Sequence, residues 1–263
     1  MRKHRKLIII ITLGCVLLLV VGGSLSALLI GGGGGTKVDL AYSSAPGDVI
    51  IQVESGGGPP PIWEDYIPDF RLFGDGTVIM RDRSTNKTFM LQGKMSSADV
   101  DALLEQIKDA GFFDLGPHYG NDQIYDGSYT VITVQVASGS QQVSEYMIQV
   151  AAFDKAYDAI VNAPVSNGVE YVPPEGYLMV QPYGGGDVAV LQPGTEAYAA
   201  LPDIATLQTG NYRTPVPVTG GNFLALKKFE GQQKYIGIVV HTDTGDLEVF
   251  PVYVPRTIAV GNK

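Results

Sequence analysis

Residues 7–30, LIIIITLGCVLLLVVGGSLSALLI, run for 24 positions without a charge, behind Met-Arg-Lys-His-Arg-Lys and ahead of five glycines. No other stretch restricts the chain so strongly. At about 1.5 Å per residue, a helix of this length covers about 36 Å, enough for a hydrocarbon core about 30 Å thick. A helix also satisfies its own backbone polar groups in lipid. Arg2, Lys3, Arg5 and Lys6 all precede the apolar run. The positive-inside rule therefore keeps residues 1–6 in the cytoplasm and sends everything from residue 31 outside, which predicts a single-pass membrane protein.

Two other readings use the same residues. A secretory signal would have 1–6 as its basic region and a cut after Ser26, releasing a secreted chain; the apolar run, however, resumes at Ala27-Leu28-Leu29-Ile30. A lipoprotein would use Cys15 in Leu13-Gly14-Cys15, with Thr12 where an aliphatic residue is usual. Cys15 also reads as a small apolar residue inside a membrane helix.

Four of the 18 Lys and Arg precede residue 31, and none of the 27 Asp and Glu do, so the remainder holds 14 basic against 27 acidic residues, a net charge of −13. Nucleic acid and anionic lipid need clustered cations, so they are poor partners for this part. Cys15 is the only cysteine, so the chain beyond it has no disulfide and must rely on a core of larger size.

The expected architecture is α+β, built from antiparallel hairpins with two or three helices after the membrane segment. Residues 31–47, rich in Gly and Ser, read as a flexible linker. A first unit spans 48–164. It opens with a β-branched strand at 49–53, followed by Gly56-Gly57-Gly58-Pro59-Pro60-Pro61 and then Trp63-Glu64-Asp65-Tyr66. Apolar runs at 70–73 and 77–80 flank Gly74-Asp75-Gly76, a tight hairpin signal. Residues 89–91 extend the meander. Ser96 and Asp99 form a capping box for a helix whose Val100, Leu103, Leu104 and Ile107 make one buried stripe, ended by Gly111. A second hairpin pairs 129–136 with 142–148 through 137–140, and a helix over 152–162 puts Phe153, Tyr157, Ile160 and Val161 on one face.

Residues 165–263 read as a β-rich second unit or as a completion of the first sheet. Strands at 177–181 and 188–191 bracket Gly184-Gly185-Gly186. Leu201-Pro202-Asp203-Ile204 leads into an irregular or short helical piece. A short helix at 222–229 and a last hairpin of 235–240 with 247–254 finish the chain.

No motif of nucleophilic, zinc, phosphate or dinucleotide chemistry is present, so no catalytic, cofactor or metal residue is assigned and no cofactor is expected. His118 and His241 are the only histidines beyond the N-terminal segment, both in turns. Asp114, His118, Asn121, Asp122 and Asp126 gather oxygen ligands in one stretch, which suits Ca²⁺ but equally suits turn chemistry. Trp63 and Tyr66 offer an aromatic platform for a sugar or peptide, or a cap on the sheet. Glu64 and Asp65, adjacent in sequence, point to opposite faces if extended. Asn86-Lys87-Thr88 fits a glycosylation sequon.

From 49–53 through Gly56-Gly57-Gly58 and Pro68-Asp69-Phe70-Arg71-Leu72-Phe73-Gly74-Asp75-Gly76-Thr77-Val78-Ile79, the chain resembles a loose group of uncharacterised bacterial exported proteins and lipoproteins. In that group a strand, a Gly-rich loop and a Gly-Asp-Gly hairpin precede a helix like 96–111. Leu201-Pro202-Asp203-Ile204 and Phe250-Pro251-Val252-Tyr253-Val254-Pro255 are similar to its later elements. The group implies a tethered α+β domain and brings no activity. The function expected is thus a membrane-anchored extracytoplasmic binding module for an envelope protein or glycan. A carboxylate-dependent envelope hydrolase and a Ca²⁺-stabilised structural domain are the alternatives.

Overall fold

The computed structural model describes residues 37–57, 68–82, 89–121, 123–211, 213–234 and 236–253. The apolar segment 7–30 with Cys15, the Trp63–Tyr66 run, the sequon at 86–88, Asp122 and Pro255 lie outside the described residues. Among the described residues no helix is long and apolar enough to cross a membrane. The rest confirms a mixed α+β fold of twelve strands, and Asp39–Lys263 forms one compact unit.

An eight-stranded sheet carries the N-terminal half, in the order β5-β7-β6-β1-β2-β3-β4-β8. Its strands are β1 (Val49–Gly57), β2 (Phe70–Phe73), β3 (Thr77–Arg81), β4 (Met90–Lys94), β5 (His118–Gly120), β6 (Ser128–Val136), β7 (Gly139–Tyr146) and β8 (Ser166–Glu170). All neighbours are antiparallel except the short β5, which runs parallel to β7.

Period-2 alternation decides the two faces. Ile51 and Val53 of β1, Phe70 and Leu72 of β2, Val78 of β3, and Ile132 and Val134 of β6 point to one side and are fully or almost fully buried. Helices α1 (Ser97–Asp109) and α2 (Ala151–Val161) cover that side with Val100, Leu103, Leu104, Ile107, Phe153, Ala156 and Ile160, all in the same core. Helix α1 begins as its sequence requires. Asp99 N–H donates to Ser96 Oγ, and the Asp99 carboxylate receives the Ser96 backbone N–H.

The turn between β2 and β3 is built on the carboxylate of Asp75. It accepts from Thr77 N at 2.9 Å, Thr77 Oγ1 at 2.9 Å and Lys94 Nζ at 2.9 Å, while Gly76 takes φ +81°. These donors, Lys94 foremost, hold the Asp75 carboxyl below its ordinary value against the opposing effect of burial. A depressed carboxyl pKa stabilises the fold above the unfolded value of about 3.9 and loses that contribution as pH falls through the folded value. Asp75→Asn should therefore flatten the stability profile below about pH 4, and a denaturant midpoint series against pH checks it.

Several boundaries differ from the sequence reading. Residues 31–47 read as slack, yet Asp39 onward is packed. Ala137 N donates to Ala41 O at 2.6 Å, Ser138 N donates to Asp39 O at 3.3 Å, and Leu40 and Tyr42 lie on the first core. The β6–β7 turn is the two residues Ala137-Ser138, and β7 ends at Tyr146 rather than 148 because Met147 takes φ +51° and leaves the ladder.

Five α-helices, not two or three, are present among the described residues. The extra ones are α3 (Glu196–Ala199) and α4 (Ile204–Thr209). They are short enough to read as turns and are capped by Thr195 and Asp203. The longer α5 (Gly220–Gly231) packs on a second, four-stranded sheet ordered β10-β9-β12-β11. That sheet consists of β9 (Glu175–Pro182), β10 (Val216–Thr219), β11 (Ile238–Val240) and β12 (Leu247–Val252). Residues 188–191 form no strand, only a bridge of Val190 to Val239.

The two sheets share side chains. Met90 of β4 belongs to the core of the second sheet, and its N–H donates to Tyr253 Oη at 3.2 Å. The Tyr253 ring stacks on Tyr171 and meets Phe223 edge-on.

Candidate binding face

The helices occupy one face of the large sheet. The same alternation that fills that face with Ile, Leu and Val leaves the other with Gln, Glu, Arg, Thr and Tyr. The register sets Gln142, Thr133, Gln52 and Arg71 opposite one another across four strands, and the row continues through Ile79, Gln92 and Val169. Next to it run His118, Ser144, Val131 and Glu54, and beyond them Tyr146, Tyr129 and Gly56. The face is covered at its β4 end, where Met90, on the same side as Gln92, is buried in the second core. Its Tyr171 end meets the second core, where Ile79 and Tyr171 pack with Met90.

A hydrogen-bonded chain holds the centre. Arg71 Nε donates to Gln52 Oε1 at 2.8 Å, and Gln52 Nε2 donates to Glu54 Oε1 at 2.8 Å. Three planar groups are thereby fixed in orientation on adjacent strands. Burial draws the Arg71 guanidinium below its ordinary pKa, opposed by the charges of Glu54 and Tyr171. Tyr171 moves up, again through burial first, with Arg71 opposing. Farther along, Arg81 Nε bonds Asp69 Oδ1 at 2.7 Å, and Gln142 Nε2 donates to Thr133 Oγ1 at 3.1 Å.

The aromatic end is shaped by a close approach. A Cβ on Gly56 would lie 2.6 Å from Tyr129 Oη and 2.7 Å from its Cζ, so the Tyr129 ring crosses above the β1 backbone only because residue 56 has no side chain. Tyr146 Oη accepts from Gly127 N at 2.9 Å and donates to Ile124 O at 2.7 Å, fastening the loop that carries Tyr125. Tyr125 is 86 % exposed, and Met147 and Ile148, which follow β7, are also exposed. Asp126 and Met147 both hold left-handed backbone here, an uncommon conformation for residues with a side chain.

The residues singled out from sequence are distributed as follows. His118 meets Ser144, with Nδ1 and Oγ 2.8 Å apart. Ser144 Oγ also donates to Pro117 O at 3.2 Å. His241 Nδ1 bonds Asp246 Oδ1 at 2.7 Å across an exposed turn.

Asp114, His118, Asn121 and Asp126 are all exposed, and Asn121 Oδ1 is taken by Gln123 N in a local turn. Among the described residues no three His, Cys, Asp or Glu side chains come together as a metal site. Glu145, whose carboxyl burial pushes up, lies on the helix side and accepts the Val150 N–H at the start of α2.

A shallow groove of about 250 Å³ lies beside 41–43, lined by Tyr42, Asp48, Ile50 and Gln135. Burial and the neighbouring Asp101 raise the Tyr42 phenol there.

The row through Gln52 and Arg71 was not found from sequence. The available signal was the alternation of polar with apolar residues in 49–55 and 129–136. No protein-family model, curated protein or solved structure matches the chain.

Proposed function

We propose that this protein is a membrane-anchored, extracytoplasmic binding module without catalytic activity, and that it takes its ligand on the open face of the large sheet. The uncharged run 7–30 behind four cations supports the anchor and its direction. The observation that carries the binding role is the row of polar side chains Gln142, Thr133, Gln52 and Arg71 across four neighbouring strands, bordered by tyrosines. Rigidly placed planar donors and acceptors beside aromatic surface are the means by which proteins fix the orientation of a ligand. The hydrolase alternative, which would use carboxylates around Trp63 or in the Asp114–Asp126 loop, has less support, since Asp114 and Asp126 are exposed and lie in no cluster of acidic side chains among the described residues.

Fractionation of bacterial cells making the full chain tests the proposal. The protein should remain in the membrane pellet after an alkaline carbonate wash, keep its N-terminal segment, and be digested by protease added outside the inner membrane. A mature chain beginning near Ala27, or turnover of envelope polysaccharide or ester by the purified protein, would contradict it.

A further inference from the structure

We propose that the open sheet face binds an uncharged polysaccharide strand, centred on Gln52 and Arg71. This rests on the reading of the chain as a binding module and names its ligand class.

The charges come first. Arg71 and Arg81 balance Glu54 and Asp69 on this face, while the chain beyond residue 30 carries −13. A locally neutral surface on an acidic protein complements a neutral ligand, and the surrounding field repels a polyanion.

The hydrogen-bond capacity of the face points to the same ligand. The Nε of Arg71 and one oxygen of Glu54 are used by Gln52. Among the described residues the terminal Nη groups of Arg71 and the second oxygen of Glu54 have no hydrogen-bond partner. Donors and an acceptor thus stand together, pre-oriented. A hydroxyl both donates and accepts, so neighbouring sugar hydroxyls can satisfy both at once.

The location of these groups excludes an added peptide strand. An extended peptide adds to a sheet through backbone groups at an edge. Here the offered groups are side chains in the middle of a sheet, with Tyr129 beside them for the apolar face of a sugar ring. From Gln142 to Arg71 the row crosses three strand spacings, about 14 Å, a length for several linked sugars rather than one.

The test is calorimetric titration of the full chain in detergent micelles. The probes are neutral β-1,4-linked hexamers of glucose and of N-acetylglucosamine, with polygalacturonate as the anionic comparison. At least one neutral hexamer should bind, and Arg71→Ala should weaken it about tenfold or more, the loss expected for hydrogen bonds to a charged group. Thr133→Val, which keeps the shape of the row, should also weaken binding and guards against a folding defect in the first variant. Lys108→Ala on the helix side should leave it unchanged. Failure of both hexamers, or equal binding by Arg71→Ala and Thr133→Val, overturns the proposal. Binding of polygalacturonate alone overturns the ligand class while leaving the module reading in place. Loss of membrane attachment in the fractionation would instead count against the anchor.

Discussion

Replacing Glu230 with alanine should cost the folded chain about 3–5 kcal/mol, the penalty for breaking a buried ion pair from one side. Glu230 and Lys227 lie one turn apart on α5 with side chains only 8 % and 10 % exposed, and their charged atoms are 3.1 Å apart. Each also holds a neighbouring segment. Lys227 Nζ donates to Pro251 O at 2.8 Å, and Glu230 Oε1 accepts from Gly237 N at 3.0 Å. The pair therefore ties the helix to β12 and to the approach of β11. Removal of the carboxylate leaves a buried ammonium and a buried amide without that acceptor. The double change Lys227→Met with Glu230→Leu should be far milder, because the desolvation cost disappears along with the attraction. Guanidinium denaturation midpoints of the full chain in micelles measure both. A small loss for Glu230→Ala would mean that the pair is hydrated.

Phe223→Ala should be comparably damaging, at about 3–5 kcal/mol for a large aromatic removed from a packed core. Phe223 is fully buried, meets Tyr253 with ring centres 4.7 Å apart, and rests directly on Gly176 of β9. A Cβ at position 176 would come within 2.2 Å of Phe223 Cγ and 2.3 Å of Cδ2, so Gly176→Ala forces the ring to move. The expected overpacking loss is about 1–3 kcal/mol. The displaced ring pushes on Tyr253, whose hydroxyl receives the Met90 N–H of the other sheet. The disturbance thus reaches the joint between the sheets. Phe223→Leu combined with Gly176→Ala should be less harmful than the two separate losses added, a coupling that a double-mutant cycle reads from the same denaturation curves.

The elements that were legible in the sequence are those whose determinants are local. Helix α1 is announced by Ser96, Asp99 and the stripe from Val100 to Ile107, all within thirteen residues. The Gly74-Asp75-Gly76 turn is equally local. By contrast, the segment from Asp39 to Ala45 looks like a linker because only Leu40 and Tyr42 could anchor it. It packs because the β6–β7 turn, about a hundred residues away in sequence, offers it hydrogen bonds, and because the Ala45 and Ser43 carbonyls fit over Gly74. The open face was hidden for the same reason. Alternation tells which side of a strand Gln52, Arg71, Thr133 and Gln142 take, but not that β1 lies between β2 and β6. That pairing is non-local, and the sequence pattern contains nothing that selects it. The left-handed Met147 was also hidden, since a methionine after a tyrosine reads as a continuing strand.

The side-chain NMR signals of the full chain in micelles test the binding face most directly, recorded with and without a neutral β-1,4-linked hexamer. The amide protons of Gln52 and Gln142 and the Nε–H of Arg71 should shift on addition of the sugar, while the signal of Lys108 on α1 stays in place. Shifts confined to the helix side, or none at these three groups when the hexamer binds, would contradict the account.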